Sequence, residues 1–266
     1  MKLGFIGAGN MAGAIIKGFV NKNCVNSSDI YFIRQNKEKQ AQQASELGIN
    51  GCNDYESLIE NSDILFLGVK PVVFPTLLPQ IAKSVKKKNP LVVSMAAGLT
   101  TDSIKEMLGA KIIRIMPNVN AAIAMSTTAV CKNEFASDED LATIKNLFSS
   151  IGLTTEVPEN QFAIFTAIAG CSPAYVYMFI DGLARGAQKM GMNKQKALEI
   201  AASAVIGSAS MYAQSNEHPQ ELVDKVCSPG GTTIEGVTTL EEYKFTAGVV
   251  KAVENSILKD RELSKK

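Results

Sequence analysis

The feature that most constrains this chain lies at its start, where the apolar run Leu3-Gly4-Phe5-Ile6 leads into Gly7-Ala8-Gly9-Asn10-Met11-Ala12-Gly13. A short apolar run ending in G-x-G-x-x-A predicts a strand, a tight turn and a helix. In such a unit Gly7 permits the turn, Gly9 lets the backbone approach a pyrophosphate, and Ala12 allows the helix to pack closely on the strand. A helix is expected from Asn10 to Val20, with Met11, Ile15, Ile16 and Phe19 at helical spacing. Its first turn, at Asn10, Met11 and Ala12, would present free N–H groups and a positive dipole end to phosphate. A plain strand–helix turn would need none of this, so dinucleotide binding is the favoured reading.

The same alternation continues. Residues 30–33 read as a strand and 37–47 as a helix closed by Gly48. Residues 64–69 form a continuous apolar run, as expected of a strand buried on both faces. Pro71 opens a helix expected to reach Ala82, and 91–94, 112–116, 128–131 and 154–157 supply further strands. Ser137 with Asp140 marks a helix start running to Phe148. The fold class predicted is an α/β Rossmann domain over residues 1–157, a mostly parallel sheet with helices on both faces.

Beyond Pro158 the pattern changes to helices, expected at 161–169, 174–190, 194–214, 219–226, 232–242 and 246–259. Ser172-Pro173 reads as an N-cap followed by the first helical position, and Asn193 as the next cap. Residues 158–266 are therefore predicted to form an all-α domain, rich in small residues such as Ala201, Ala202, Ala204 and Gly207. Ordinary core packing accounts for such residues. So does a homodimer built through these helices, and that is the sharper expectation.

The end of the second predicted strand bears on cofactor choice. An Asp or Glu there would bond both ribose hydroxyls of NAD. The sequence has Arg34-Gln35-Asn36-Lys37 instead. Arg34 can fork onto a 2′-phosphate and Asn36 can donate to it, so NADPH is expected in preference to NADH. The alternative is that Arg34 and Lys37 are solvated loop charges. Two further loops fall at strand ends, Gly68-Val69-Lys70-Pro71 and Ser94-Met95-Ala96-Ala97-Gly98. Ala96, Ala97 and Gly98 are small enough for a flat ring to lie against the backbone. Lys70 can donate to a ribose, a carbonyl or a phosphate, or stand as a surface lysine before a proline.

In the second half, Cys227-Ser228-Pro229-Gly230-Gly231-Thr232-Thr233-Ile234-Glu235 follows one helix and opens another. Glycine there frees the backbone to curve, so successive N–H groups can converge on a carboxylate at a helix N-terminus. Thr232 and Thr233 add hydroxyls. A well-made helix cap after a Pro-Gly-Gly turn is the equal alternative. Lys+Arg of 27 against Asp+Glu of 26 leaves a net charge of +1 and no concentrated basic surface for nucleic acid or an anionic membrane. Five scattered cysteines without a CxxC pair fit free thiols and offer no zinc site. No metal is expected. No apolar stretch is read as long enough to span a bilayer and no signal peptide is seen, so a cytoplasmic location is expected.

Taken together, Gly4 to Gly13, Gly68-Val69-Lys70-Pro71, Ser94 to Gly98, Arg114-Ile115-Met116-Pro117-Asn118, Gly170-Cys171-Ser172-Pro173-Ala174-Tyr175 and Ser228 to Thr233 resemble pyrroline-5-carboxylate reductase. The resemblance runs from the first strand to about Arg261. It implies a Rossmann domain followed by a helical dimerisation domain, NAD(P)H dependence, and dimers assembled into a larger ring. It implies reduction of 1-pyrroline-5-carboxylate to L-proline, the final step of proline biosynthesis. By the same resemblance Gly230, Gly231, Thr232 and Thr233 hold the substrate carboxylate and Thr233 meets the imine nitrogen. Val69, Lys70, Pro71, Ala96 and Ala97 then surround the nicotinamide and its ribose. Cys171 stands where the family has glycine or serine, and is small enough for that place. The family's asparagine before the helix leading to Asp63 has no clear match in Asn53-Asp54-Tyr55-Glu56, so Asn53 is given no contact. A β-hydroxy acid dehydrogenase would carry a lysine acid early in the second domain, and residues 161–172 contain none. A non-catalytic dinucleotide sensor would need the first glycine turn but not Ser228 to Thr233.

Overall fold

A computed structural model describes residues 1–263. They form two compact units, one of residues 1–170 together with the chain from Ile257, the other Cys171–Ser256. The first unit is built on β1 (Leu3–Ile6), β2 (Ile30–Ile33), β3 (Asn50–Gly51), β4 (Ile64–Leu67), β5 (Leu91–Ser94), β6 (Ile112–Met116), β7 (Ser126–Lys132) and β8 (Gly152–Glu156). They make one eight-stranded sheet in the order β3-β2-β1-β4-β5-β6-β7-β8. Every pair is parallel except β6 with β7. This is the mostly parallel Rossmann sheet expected of the sequence.

Period-two alternation along the strands feeds two cores. Leu3, Phe5, Phe32 and Phe66 face one side, where α1 (Asn10–Asn21) and α6 (Asp138–Ser149) bring Ile15, Ile16, Phe19, Leu141, Ile144 and Phe148. Phe5 and Phe66 stack with ring centres 4.4 Å apart. Ile6, Leu65, Leu67 and Val92 face the other side, under α3 (Tyr55–Glu60), α4 (Phe74–Lys88) and α5 (Thr101–Leu108). On the first side, where Ala44 and Leu47 pack, α2 (Lys37–Leu47) starts on Asn36, whose side chain accepts the Lys39 N–H, and ends on left-handed Gly48.

Several boundaries differ from those expected. β4 stops at Leu67 rather than at residue 69, and the Gly68 N–H to the Ile6 carbonyl, at 2.8 Å, is its last ladder bond to β1. After Pro71 the chain makes one 3-10 turn, and α4 then runs to Lys88, past Ala82. Pro79 lies inside α4 but on its exposed side, while Phe74, Leu77, Leu78, Ile81 and Val85 form an unbroken buried stripe. β3, α3 and α5 went unread because each is too short to show a period. Ser172 does not open a free helix. α7 (Phe162–Phe165) passes through a π-helical turn at Thr166–Gly170, and the N-cap of α8 (Ser172–Lys189) is Cys171, already in a helical conformation.

That continuity also corrects the reading that no stretch is long enough for a bilayer. Glu159–Lys189 is a 31-residue helical stretch, with mean hydropathy 1.6 over its most apolar window, and passes that test by length and composition. Read as two pieces split at Gly170–Pro173, neither half reached the length.

One buried ion pair ties distant parts of this unit together. Arg114 of β6 donates from Nη1 to Glu159 Oε1 at 3.1 Å and lies over the Phe162 ring at 4.5 Å. The same carboxylate accepts the Thr101 N–H at 2.8 Å and the Thr101 hydroxyl at 2.9 Å. Arg114 Nε is buried without an acceptor among the described residues. Beside the pair, burial first and the Glu159 charge second push the Cys131 thiol up to about 12.

The second unit is helical throughout: α8, α9 (Lys194–Gln214), α10 (Pro219–Val226), α11 (Thr232–Glu242) and the larger part of α12 (Phe245–Leu263). Asn193 caps α9 by accepting the Lys196 N–H, and His218 caps α10 in a box with Glu221. Within the unit α8 packs on α9, Tyr175 meets Ser256 at 2.7 Å, and Phe179 lies 5.9 Å from Phe245. Its apolar residues are left largely outside: Met178 is 75% exposed, Met211 67% and Ile206 65%.

Candidate active site

The carboxyl ends of β1, β2 and β4 meet at a cavity of about 870 Å³. Gly7 holds its floor. Its φ is +88°, a conformation L side chains rarely adopt, and its N–H donates to the Ile33 carbonyl at 3.0 Å. A β-carbon on Gly7 would stand 2.8 Å from the Gly68 carbonyl oxygen. Gly9 is different: a β-carbon there meets nothing within 4 Å, because it would point into open space. Gly9 also caps α1 without any side-chain hydrogen bond. The N–H groups of the first helical turn, at Asn10, Met11 and Ala12, therefore remain available to an anion. Ala12 is 1% exposed, and its β-carbon lies only 2.7 Å from where Gly68 would carry one. That is the close helix–strand packing which the third position of the motif requires.

Of the residues singled out from sequence, Gly7, Gly9, Arg34, Asn36, Val69 and Lys70 line this cavity. Asn10 lines an adjoining cavity of about 660 Å³, which shares Gly9, Arg34 and Lys39 with the first. Met11, Ala12, Pro71, Ala96, Ala97 and Gly98 line neither. Pro71 begins the turn after Lys70. Ala96 is buried, with its N–H 3.3 Å from Ser94 Oγ, at the end of β5, the strand next to β4. Sequence reasoning missed Lys39, Asn53 and Tyr55, which also line the larger cavity. Asp54 lies on the same wall. Hydrogen bonds from the Ser57 backbone and hydroxyl hold its carboxyl below the usual range.

In the second unit, Ser228 to Gly231 close a turn through Gly231 N–H to Ser228 O at 3.0 Å. Pro229 occupies the second position and Gly230, at φ +66°, the third, the requirements of a type II turn. Gly231 then caps α11 with no side-chain hydrogen bond, so the N–H groups of Thr232, Thr233 and Ile234 have no helical partner. Thr232 is exposed and Thr233 partly so. The turn is thus a concave row of donors at a positive helix end, suited to a carboxylate.

Two family models match the chain, one described as pyrroline-5-carboxylate reductase dimerisation over residues 159–263, the other as NADP oxidoreductase, coenzyme F420-dependent, over residues 2–98. The pyrroline-5-carboxylate reductase of Escherichia coli strain K12 is 40% identical over 266 residues, 99% of this chain and 98% of that protein. The chain belongs to the pyrroline-5-carboxylate reductase family. The 1-pyrroline-5-carboxylate reductase of Streptococcus pyogenes superposes with a TM-score of 0.88 at 37% identity, covering 98% of each chain. A crystal structure of Plasmodium falciparum pyrroline carboxylate reductase, with NADP bound, superposes at 0.90 and 29% identity, covering 99% of this chain and 98% of that one.

In this reductase the asparagine withheld from the site is back on its wall. The two residues of β3 pair with β2, and the Cys52 N–H still bonds the Phe32 carbonyl at 2.8 Å. Asn53 follows immediately and so reaches the cavity beside Arg34. The sequence signal for it was the family's asparagine ahead of the helix leading to Asp63, and Asn53 does stand just before the Asp54 cap of α3.

Proposed function

We propose that this enzyme reduces 1-pyrroline-5-carboxylate to L-proline with NADPH, the last step of proline biosynthesis. The observation that carries the reading is the end-to-end family match of a chain with a Gly7–Gly9 cradle and a Ser228–Thr233 turn. The cradle fits a dinucleotide. Gly9 opens to free space, α1 is uncapped, and Arg34 and Lys39 stand on the walls. When bound, the reduced nicotinamide supplies the hydride for the imine carbon.

The chain's own residues bind and orient. The free N–H groups at Gly230, Thr232 and Thr233, with the two threonine hydroxyls, receive the substrate carboxylate, while the Gly231 N–H closes the turn that presents them. Val69, Lys70, Pro71, Ala96, Ala97 and Gly98 would hold the nicotinamide and its ribose, and the N–H groups of Asn10, Met11 and Ala12 would hold the pyrophosphate. Thr233 donates to the ring nitrogen and relays a proton from water. The imine is basic enough that no strong general acid is needed. The division of labour falls at Pro158, with 1–157 holding the cofactor and 158–266 the substrate and dimer contacts. The exposed apolar residues of the helical unit support a homodimer, with a larger ring of dimers and a cytoplasmic location as further parts of the reading.

The test is nicotinamide absorbance with and without 1-pyrroline-5-carboxylate, run with each cofactor. Substrate-dependent oxidation with NADPH favoured is expected, and no oxidation with either cofactor would end the reading. Thr233→Ala should lower kcat by roughly a hundredfold at unchanged melting temperature, since a positioned proton relay contributes on that scale. Thr233→Ser should restore most of it, and wild-type kcat in the alanine variant would remove Thr233 from the mechanism. Light scattering should give at least twice the mass of one chain. A monomer at micromolar concentration would contradict the dimer.

A further inference from the structure

At the end of β2, Arg34 and Asn36 stand where no carboxylate would oppose a 2′-phosphate, and two residues of α2 act on the same place. Gln43 Oε1 accepts a hydrogen bond from Arg34 Nη1 at 2.7 Å. Gln40 Oε1 accepts the Arg34 backbone N–H at 2.8 Å, while its Nε2 donates to the Cys52 carbonyl, also at 2.8 Å. Arg34 is therefore fastened at both ends by one helix, and its guanidinium is held on the border shared by the two cavities. Gly13 of α1 lies beside this amide: a β-carbon there would stand 3.5 Å from Gln43 Nε2, an ordinary van der Waals contact.

Lys39 lines both cavities as well. Its backbone N–H is the group that Asn36 Oδ1 accepts at 2.8 Å, so the cap fixes where the lysine stands. Its ammonium has no hydrogen-bonding or ion-pair partner among the described residues, whereas Lys87, Lys105, Lys132 and Lys225 each meet a carboxylate. Placed in the first turn of α2, it also lies at the positive end of that helix, where a cation is unfavourable on its own. Lys17 faces the smaller cavity from α1, and Glu46, the one carboxylate on that wall, already accepts from Gln42 at 2.7 Å. An unpaired cation, a second cation held in a fixed orientation, and space beside both are what a phosphate dianion requires.

We propose that Lys39 and Gln43 set the cofactor choice of this enzyme. Lys39 contacts the 2′-phosphate directly, and Gln43 is a positioning residue that holds Arg34 for the same group. This inference rests on the NADPH reading given above.

The test compares adenosine 2′,5′-bisphosphate with AMP in binding titrations, and NADPH with NADH in kcat/KM. Unmodified protein, Lys39→Gln, Lys39→Arg and Gln43→Leu are each measured. Lys39→Gln should weaken the bisphosphate about tenfold more than AMP, on the scale of one charge-assisted hydrogen bond. Gln43→Leu should act in the same direction by about threefold to fivefold, through KM for NADPH with little change in kcat. Lys39→Arg should retain the preference. The bisphosphate preference should shrink as salt rises, because its phosphate charges are screened. Equal weakening of both nucleotides, the outcome of a purely structural role, would overturn the inference, as would an unchanged preference in Lys39→Gln and Gln43→Leu. If the unmodified protein binds both nucleotides equally, the NADPH reading itself falls and this inference with it. Discrimination in the unmodified protein that survives in every variant defeats this inference alone.

Discussion

Gly68→Ala is expected to lower the stability of the sheet unit by about 3 kcal/mol and to weaken NADPH binding by roughly a hundredfold. The reason is the neighbours a β-carbon would meet. It would stand 2.6 Å from the Gly7 carbonyl oxygen and 2.7 Å from the Ala12 β-carbon. One is backbone and the other is fixed to a buried helix, so neither can swing aside as the end of a long side chain would. Relief requires β1's turn and α1 to part from β4. Those two elements carry the nucleotide cradle, so a strained fold and a misplaced cradle come from the same contact. A melting temperature lower by about 6–12 °C is expected in a domain of this size. Gly9→Ala is the control. Its β-carbon meets no protein atom within 4 Å, so the fold should tolerate it while the cofactor loses its closest approach. Equal melting temperatures for Gly68→Ala and the unmodified protein would show that β4 and α1 do not pack as described.

The second large effect is at Glu159. Glu159→Ala should cost about 3–5 kcal/mol, the scale for breaking one side of a buried ion pair. Arg114 has a side chain only 6% exposed, with Nε already lacking an acceptor. Losing Glu159 leaves its charge uncompensated and takes the acceptor from both donors of Thr101. Arg114→Met should cost less, because the Glu159 side chain is 26% exposed and keeps its bonds to Thr101. Arg114→Met combined with Glu159→Leu should recover much of the loss, since an apolar pair removes the stranded charge. Thermal unfolding of the three variants gives the ranking. If Arg114→Met proves the more damaging single change, the energetic centre lies in the Phe162 stacking instead.

Much of this architecture could be read without coordinates. The Gly7–Gly9 turn, the bounds of α2, α10 and α11, and the caps at Ser137 and Asn193 all followed from local rules. A positive φ, a cap hydrogen bond and a proline at a helix start depend on residues adjacent in the chain. The same holds for the Ser228–Gly231 turn, whose Pro-Gly order names its type. Short elements were another matter. The two residues of β3 carry no period, and the π-helical turn that joins α7 to α8 is hidden under a Gly-Cys-Ser-Pro sequence that reads as a break.

What the sequence determined by itself was the local form of each loop: a glycine turn between β1 and α1, a Pro-Gly turn opening α11, and the family to which both point. What only the tertiary structure decided was which distant residues share a wall. Lys39 and Asn53 enter the cavity at the ends of β1, β2 and β4 because β3, β2, β1 and β4 lie side by side in that order, and Glu159 reaches Arg114 and Thr101 because the chain returns past the ends of β6 and α5. Local backbone preferences act over a few residues and leave a mark in the sequence. Strand order and the pairing of a buried charge are set by the packing of the whole sheet, and no window of the chain carries them.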